Sequence, residues 1–335
     1  NVTGVQTCAL PIYPMIALTM RAWLVAALLG AASLVCAQNF PSKPMRLVLP
    51  FPPGGPTDIL GRTLAQKLGE AMGQTMVADN RPGAGGNLGI EVAAKSPADG
   101  HTVVLVSSVL AIAPSLYAKL NYAQKDLAPI SLVAEMKNAL LVHPSVPARS
   151  LKEFVALMKQ NPGKLNYGSG GVGTTTHITP ELLMSLTGTR MNHVPFKGSG
   201  LALIGLISGQ VDALIMTVSA SAPQVKAGKV RALAIFAPDR AAQLPDVPSV
   251  KELGNENYAV RLWYGMLAPT GTPAAAITRL NSEINKVVNS ADMKERLTTG
   301  GIDPLLSTPE QFASFIQTET ARYAKVIKSA GIKGE

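Results

Sequence analysis

Two glycine-rich junctions in this chain could hold an anion without any charged clamp. The first is Val48-Leu49-Pro50-Phe51-Pro52-Pro53-Gly54-Gly55-Pro56-Thr57-Asp58, an apolar strand that turns through a stiff Pro/Gly loop into a helix. Gly54 and Gly55 lack Cβ atoms and let the backbone approach a ligand, Pro56 suits the first helical position, and Asp58 can cap the helix. The unpaired N–H groups of that helix then point at whatever fills the loop. The second junction runs from Lys164-Leu165-Asn166-Tyr167 into Gly168-Ser169-Gly170-Gly171-Val172-Gly173-Thr174 and a further helix. Two sockets in one chain point to one ligand gripped from both sides. Either loop alone could equally be an ordinary tight turn, because glycine marks turns everywhere.

Other chemistries are weaker. Gly168-x-Gly170-x-x-Gly173 fits the dinucleotide fingerprint and sits between a strand and a helix, so a nicotinamide-dependent α/β enzyme is the alternative reading. That site needs an acidic residue about 20 positions on to meet the ribose hydroxyls, and the stretch Asn192-His193-Val194-Pro195-Phe196 has none. His177 falls in the first turn after Thr174 with no carboxylate or nucleophile arranged around it, so a structural or ligand-orienting role is expected rather than catalysis. His101, His143 and His193 lack metal-ligand spacing, and there is no P-loop, no H-E-x-x-H and no G-x-S-x-G elbow. No cofactor, metal or catalytic residue is therefore expected. Asn80-Arg81-Pro82-Gly83-Ala84-Gly85-Gly86-Asn87 reads as a surface turn or as a third wall of the site, with Asn87 at a helix start. Ser107 and Ser108 end an apolar strand and are candidate hydroxyls, since ligands of open α/β sheets bind at strand ends.

The elements that must position these groups are legible from periodicity. Leu60, Leu64, Leu68 and Met72 form one stripe on a helix from Ile59 to Met72, and Ile178, Leu182 and Leu186 mark one side of the helix after the second loop. Thr102-Val103-Val104-Leu105-Val106 and Val211-Asp212-Ala213-Leu214-Ile215-Met216 read as buried strands. Thr272 with Pro273 opens a helix carrying Ile277, Leu280, Ile284 and Val287; Thr308 with Pro309 opens another carrying Phe312, Phe315 or Ile316, and Tyr323. Short apolar runs alternating with helices predict an α/β protein of parallel sheets covered by helices. No repeat of 20 to 50 residues and no low-complexity linker appears, so any domain boundary is crossed by strands.

Net charge is +9, from 30 basic and 21 acidic residues. That balance favours an acidic ligand or partner surface. Nucleic acid is not expected, because the basic residues are scattered singly, aromatics are 5% of the chain and no binding motif is present.

With these blocks in view the chain resembles the Bug receptors, the periplasmic solute-binding proteins of tripartite tricarboxylate transporters. The resemblance rests on the Pro50 to Asp58 and Asn80 to Asn87 stretches, on Gly168 to His177, on His193-Val194-Pro195-Phe196-Lys197-Gly198, and on Lys226-Ala227-Gly228-Lys229-Val230-Arg231-Ala232-Leu233-Ala234. It continues through Trp263-Tyr264-Gly265-Met266-Leu267-Ala268-Pro269 to Ala330-Gly331-Ile332-Lys333 and covers the chain from about Phe40 onward. It implies a two-lobe, type II-like Venus-flytrap fold with a mostly parallel sheet in each lobe and strand crossovers as the hinge. Lobe 1 would take 42–130 plus 238–335 and lobe 2 would take 131–237, with crossings near 130–133 and 233–236. It also implies one wall from Phe51, Gly54, Gly55, Thr57 and Asp58 and the other from Ser169, Gly170, Val172, Gly173 and Thr174. The expected function is non-catalytic: a receptor that closes on a small carboxylate and presents it to the transporter's membrane subunits or to a sensor, as a monomer. Many relatives carry an acid where this chain has Met216, which would favour a plain carboxylate over an amino acid; tighter binding of aspartate than of succinate would refute that.

At the N-terminus, Met20 to Ala37 reads as a cleaved secretory signal: Arg21, an apolar core from Ala22 to Val35, and Val35-Cys36-Ala37 before Gln38. The core is short of the roughly 20 residues that span a bilayer, and Val35 fits a lipobox poorly. A periplasmic protein follows, whose part after Ala37 contains no cysteine. Residues 1–12 match what a common sequencing adapter would encode, and are expected to be an artefact; native codons for them in long reads of the locus would overturn that.

Overall fold

The computed structural model describes Gly4 and residues 40–332. The segments read as artefact and as signal, 1–12 and 20–37, lie outside the described residues apart from Gly4.

Alternating apolar runs and amphipathic stretches become strands and helices in the expected order. The first third of the chain forms β1 (Met45–Leu49), α1 (Pro56–Met72), β2 (Met76–Asn80), α2 (Asn87–Ala94), β3 (Thr102–Ser107), α3 (Val109–Leu116) and β4 (Leu127–Met136). Then come β5 (Asn138–Val142), α4 (Leu151–Gln160), β6 (Asn166–Ser169), α5 (Thr175–Thr187), β7 (Asn192–Pro195), α6 (Ser199–Ile207), β8 (Ala213–Thr217), α7 (Val218–Lys226) and β9 (Arg231–Ile235). The chain closes with β10 (Leu262–Pro269), α8 (Ala274–Asn289), α9 (Ala291–Thr299), β11 (Ile302–Pro304) and α10 (Pro309–Ala330). The start of α10 is fixed by a capping box in which Thr308 and Gln311 satisfy each other's backbone N–H groups.

Among the described residues the strands form two sheets, ordered β11-β4-β10-β3-β1-β2 and β7-β6-β8-β5-β9. Both are mixed. In the first, β10 and β11 run against the other four; in the second, β5 runs against the other four. Most strands in each sheet thus share one direction, and the reversed β10 and β5 are those that follow a crossing between sheets. Val48, Val104, Trp263 and Phe312 belong to the core of the first sheet, and two further apolar clusters flank the second.

The crossings are later than the sequence indicated. β4 stays paired with β10 to its last residue, Met136 opposite Leu262, and Asn138 already faces Thr217 in the second sheet, so the chain crosses at Lys137 and not at 130–133. After β9 the chain does not leave at 233–236. Val250 donates back to Ile235 O (2.9 Å) and is buried in a core cluster of the second sheet, and only at Leu262 does a strand rejoin the first. The polar break at Glu135, Lys137 and Asn138 between two apolar runs coincides with the first crossing.

One helix binds the two halves together. α5 starts from the second sheet, yet Ile178 and Leu182 bury among residues of the first sheet's core, while Leu186 at the far end of the same stripe is 44% exposed. No helix among the described residues is long and apolar enough to cross a membrane.

Candidate functional site

The carboxyl ends of β1, β3, β6, β7 and β8 meet between the sheets, and each feeds a helix whose amino terminus opens on a common cleft. The cleft, part of it open to solvent, encloses about 640 Å³ between Phe51, Gly55, Thr57, Ser107 and Val109 on one side and Thr174–Thr176, Lys197–Leu201 and Thr217 on the other. The first N–H groups of α1, α5 and α6 lack partners within their helices and carry the positive end of the helix dipole. Among the residues lining the cleft Lys197 alone is charged, and its side chain is exposed. Such an arrangement can hold a small anion on backbone donors and hydroxyls.

The loop that carries the first socket is braced from beneath by Asp58. Its carboxylate accepts from Gly54 N (3.0 Å), Arg62 Nε (2.9 Å) and Asn80 Nδ2 (2.9 Å), and it is buried. Burial pushes the Asp58 carboxyl up, but the bonds from Arg62, Gly54 and Asn80 outweigh it and hold it below the ordinary carboxylate range. Asp58→Ala is expected to lower stability by about 2–3 kcal/mol, because three donors lose a charged acceptor. Urea denaturation measures this; a loss under 0.5 kcal/mol, the range of neutral surface changes of about that size, would remove Asp58 from this role.

The second socket is braced by stacked rings. His177 is buried, its Nδ1 accepts from Gly173 N (3.3 Å), and it stacks on His193 with centroids 4.3 Å apart. His193 stacks in turn on Tyr167 at 4.8 Å, and its Nε2 lies 2.6 Å from Ser169 Oγ, which accepts from Gly171 N (3.1 Å). Thr176 Oγ1 accepts from Gly170 N (2.8 Å), and Thr174 Oγ1 donates to Gly171 O (2.7 Å). Burial drives the His177 pKa down to about 3, with His193 adding to the shift, and takes His193 down to about 4. Both rings are neutral at physiological pH, and the bond from Gly173 assigns the His177 proton to Nε2.

Of the residues singled out in the sequence, Phe51, Gly55, Thr57, Ser107 and Thr174 line the cleft. Gly170 lines an adjoining hollow, open to solvent, that shares Phe51, Pro52, Lys197, Gly198 and Leu201 with it. Gly54, Asp58, Ser169, Gly173 and His177 stand behind the lining and hold the loops in shape. Val172 O accepts from Tyr117 OH (2.9 Å), so Val172 joins the two halves at the rim. Asn87 is turned inward, donating to Ala84 O and accepting from Tyr122 OH, both at 2.8 Å. Ser108 likewise ties strands together, donating to Arg261 O and accepting from Trp263 N.

Sequence reasoning missed four contributors. The α6 terminus carries the same signal as the two sockets, glycine before a helix at Gly198-Ser199-Gly200. Lys197 precedes it. Thr217 and Tyr264 reach the cleft only through sheet register, and a bulge between Tyr264 and Gly265 sits beside the second of them. Burial lifts the Tyr264 pKa to about 12, opposed by the hydrogen bond with Thr57, so its hydroxyl stays protonated beside that of Thr57.

The family profile described as the tripartite tricarboxylate transporter family receptor matches residues 60–332. The chain belongs to this receptor family. Protein BugT of Bordetella pertussis is 37% identical over 307 residues, covering 91% of this chain and 94% of BugT. An R. palustris protein solved with adipate superposes with a TM-score of 0.85 at 34% identity, covering 88% of this chain and 100% of that one. MatC from Rhodopseudomonas palustris, with bound malate, gives 0.81 at 32% identity and covers 86% and 100%. As a tripartite tricarboxylate transporter family receptor, the chain is a solute-binding protein and not an enzyme, and its relatives include periplasmic binding proteins. In the second loop the Gly170, Gly171 and Gly173 N–H groups are engaged by side chains of the same loop and helix.

Proposed function

We propose that this receptor closes on a small organic acid, seats a carboxylate on the N–H groups at the starts of α1, α5 and α6, and hands the acid to membrane subunits of a transporter or to a sensor. The observation that carries this reading is the convergence of several helix termini on a cleft whose one charged lining residue is a cation, Lys197. A single terminus contributes about 0.3–1 kcal/mol toward an exposed anion and up to about 2 when partly buried. Several termini with charge-assisted N–H bonds hold a carboxylate without an arginine fork. Adipate and malate in the two R. palustris relatives support a carboxylate here. Closure then follows from the ligand's greater affinity for the closed state. The Met20 to Ala37 signal would export the chain to the periplasm, with Gln38 as the first mature residue.

The test is a thermal-shift screen of residues 38–335 against mono-, di- and tricarboxylates, acidic and aromatic amino acids, and nicotinamide cofactors. At 100 times its dissociation constant a ligand adds about 2.7 kcal/mol, a shift of several degrees. A selective rise with one or a few acids is the expected result. Stabilisation by a nicotinamide cofactor alone would reverse the reading.

A further inference from the structure

The loop of the second socket is gripped from two directions. Its own half holds the N–H groups of Gly170, Gly171 and Gly173. The other half holds the carbonyl that lies among them, since Tyr117 OH donates to Val172 O (2.9 Å). Tyr117 directly follows α3, whose residues Val109 to Ala113 are at most 2% exposed, so the donor stands on a post fixed in the core of the first half. The Val172 side chain packs against that same core. Gly173, with φ +78°, fits closely beside the post: a Cβ there would lie 3.0 Å from Leu116 Cδ2 and 3.2 Å from Tyr117 OH.

Neither Tyr117 nor Val172 lines the cleft, so their bond is separate from any made to a bound acid. It is also partly buried, which limits competition from water. The held carbonyl lies three residues before Thr175, where α5 begins, so fixing it fixes the helix terminus that faces the cleft. The chain itself passes between the halves elsewhere, at Lys137 and again before Leu262. A movement that parts the halves at the rim must therefore break the bond, and closure remakes it.

We infer that Tyr117 is a positioning residue that latches the second socket to the opposite half, and that this latch sets how long a bound acid stays. The inference rests on the carboxylate reading given above and adds the control of release. A bond made only when the halves are together stabilises the closed, loaded form and leaves the first encounter untouched. It acts on release and not on capture, as most changes within one interface do.

The test is Tyr117→Phe, which keeps the ring and removes the hydroxyl. Stopped-flow mixing with malate and adipate, and with any further acid that stabilises the receptor in the screen, measures both rates on the whole chain. Release should be at least about threefold faster, the effect of losing one partly buried hydrogen bond, while association stays within about twofold. Hydrogen exchange under saturating acid locates the change: the amides of 170–174 should exchange faster in the variant, while those of β3 keep their rates. A smaller increase in release, an equal change in both rates, or faster exchange throughout the chain overturns the inference and leaves the carboxylate receptor standing. Binding of none of these acids by the unaltered receptor overturns both.

Discussion

Replacing Gly85 by alanine is expected to weaken ligand binding at least tenfold. Gly85 has φ +62°, and a Cβ built on it would lie 2.2 Å from Val172 O and 3.0 Å from Tyr117 OH. Val172 O is the same atom that accepts from Tyr117 OH at 2.9 Å. The Asn80 to Asn87 stretch and the second socket therefore touch at the rim of the cleft through a contact that only glycine allows. A methyl group there forces the loops apart by roughly 1 Å to recover an ordinary van der Waals separation. The helix termini on the two sides of the cleft then no longer close on the same anion. Gly73→Ala is the matched control: φ there is +68°, and nothing lies within 4 Å of its Cβ position. Both variants carry the conformational penalty of a non-glycine in the left-handed region, about 1–2 kcal/mol. Only Gly85→Ala should lose affinity, by about 1.4 kcal/mol or more. Titration calorimetry on both variants, with the acid that emerges from the screen, decides this; affinity of Gly85→Ala within twofold of the unaltered chain would show that the rim contact is dispensable.

The contrast between these two glycines shows where sequence reading succeeds and where it stops. Local signals were read well. Pro56 and the glycines before it, Thr308 with Pro309, and the stripe of Leu60, Leu64, Leu68 and Met72 all act within one or two turns of chain, and each produced the element expected. The two strand–glycine loop–helix junctions were legible for the same reason. Asp58 and Asn87 were harder, because an acid or amide beside a glycine loop serves equally well to contact a ligand or to tether the loop. Burial and partners decide between those roles, and both side chains turn out to tether. Thr217 and Tyr264 carry no local signal, since their place depends on which strands pair and in what register. The crossing at Lys137, by contrast, did carry a local sign that went unread, the polar break of Glu135, Lys137 and Asn138 between two apolar runs.

Stability should fall steeply as the pH is lowered from 6.5 toward 4, and the cause is the pair of stacked histidines behind the second socket. Burial holds His177 at about 3, with His193 adding to the effect, and His193 at about 4, against about 6.5 in an unfolded chain. The sign follows from proton counting. Between those values the unfolded chain binds protons that the folded chain refuses, so stability is fully present above about pH 6.5 and is lost as pH falls toward the folded values. Each histidine contributes up to about 1.4 kcal/mol per pH unit in that window, and two together approach twice that. Glu181 opposes them. Its carboxyl is raised by burial, against the hydrogen bond from the Tyr167 hydroxyl, so the folded chain takes up that proton more readily and recovers part of the loss. Asp58, held low by its partners, weakens the fold only at more acid pH, below the ordinary carboxylate range. The effect reaches the binding loop directly, because protonating His177 turns the Nδ1 acceptor of Gly173 N into a donor, and a charged His193 disturbs the Ser169 hydroxyl that holds Gly171 N. Urea midpoints at pH 7, 6, 5 and 4.5 measure the slope. His193→Phe keeps a ring in the stack and removes one titrating group, so its slope should drop by roughly half even though its absolute stability also falls. An unchanged slope in that variant would place the acid sensitivity elsewhere.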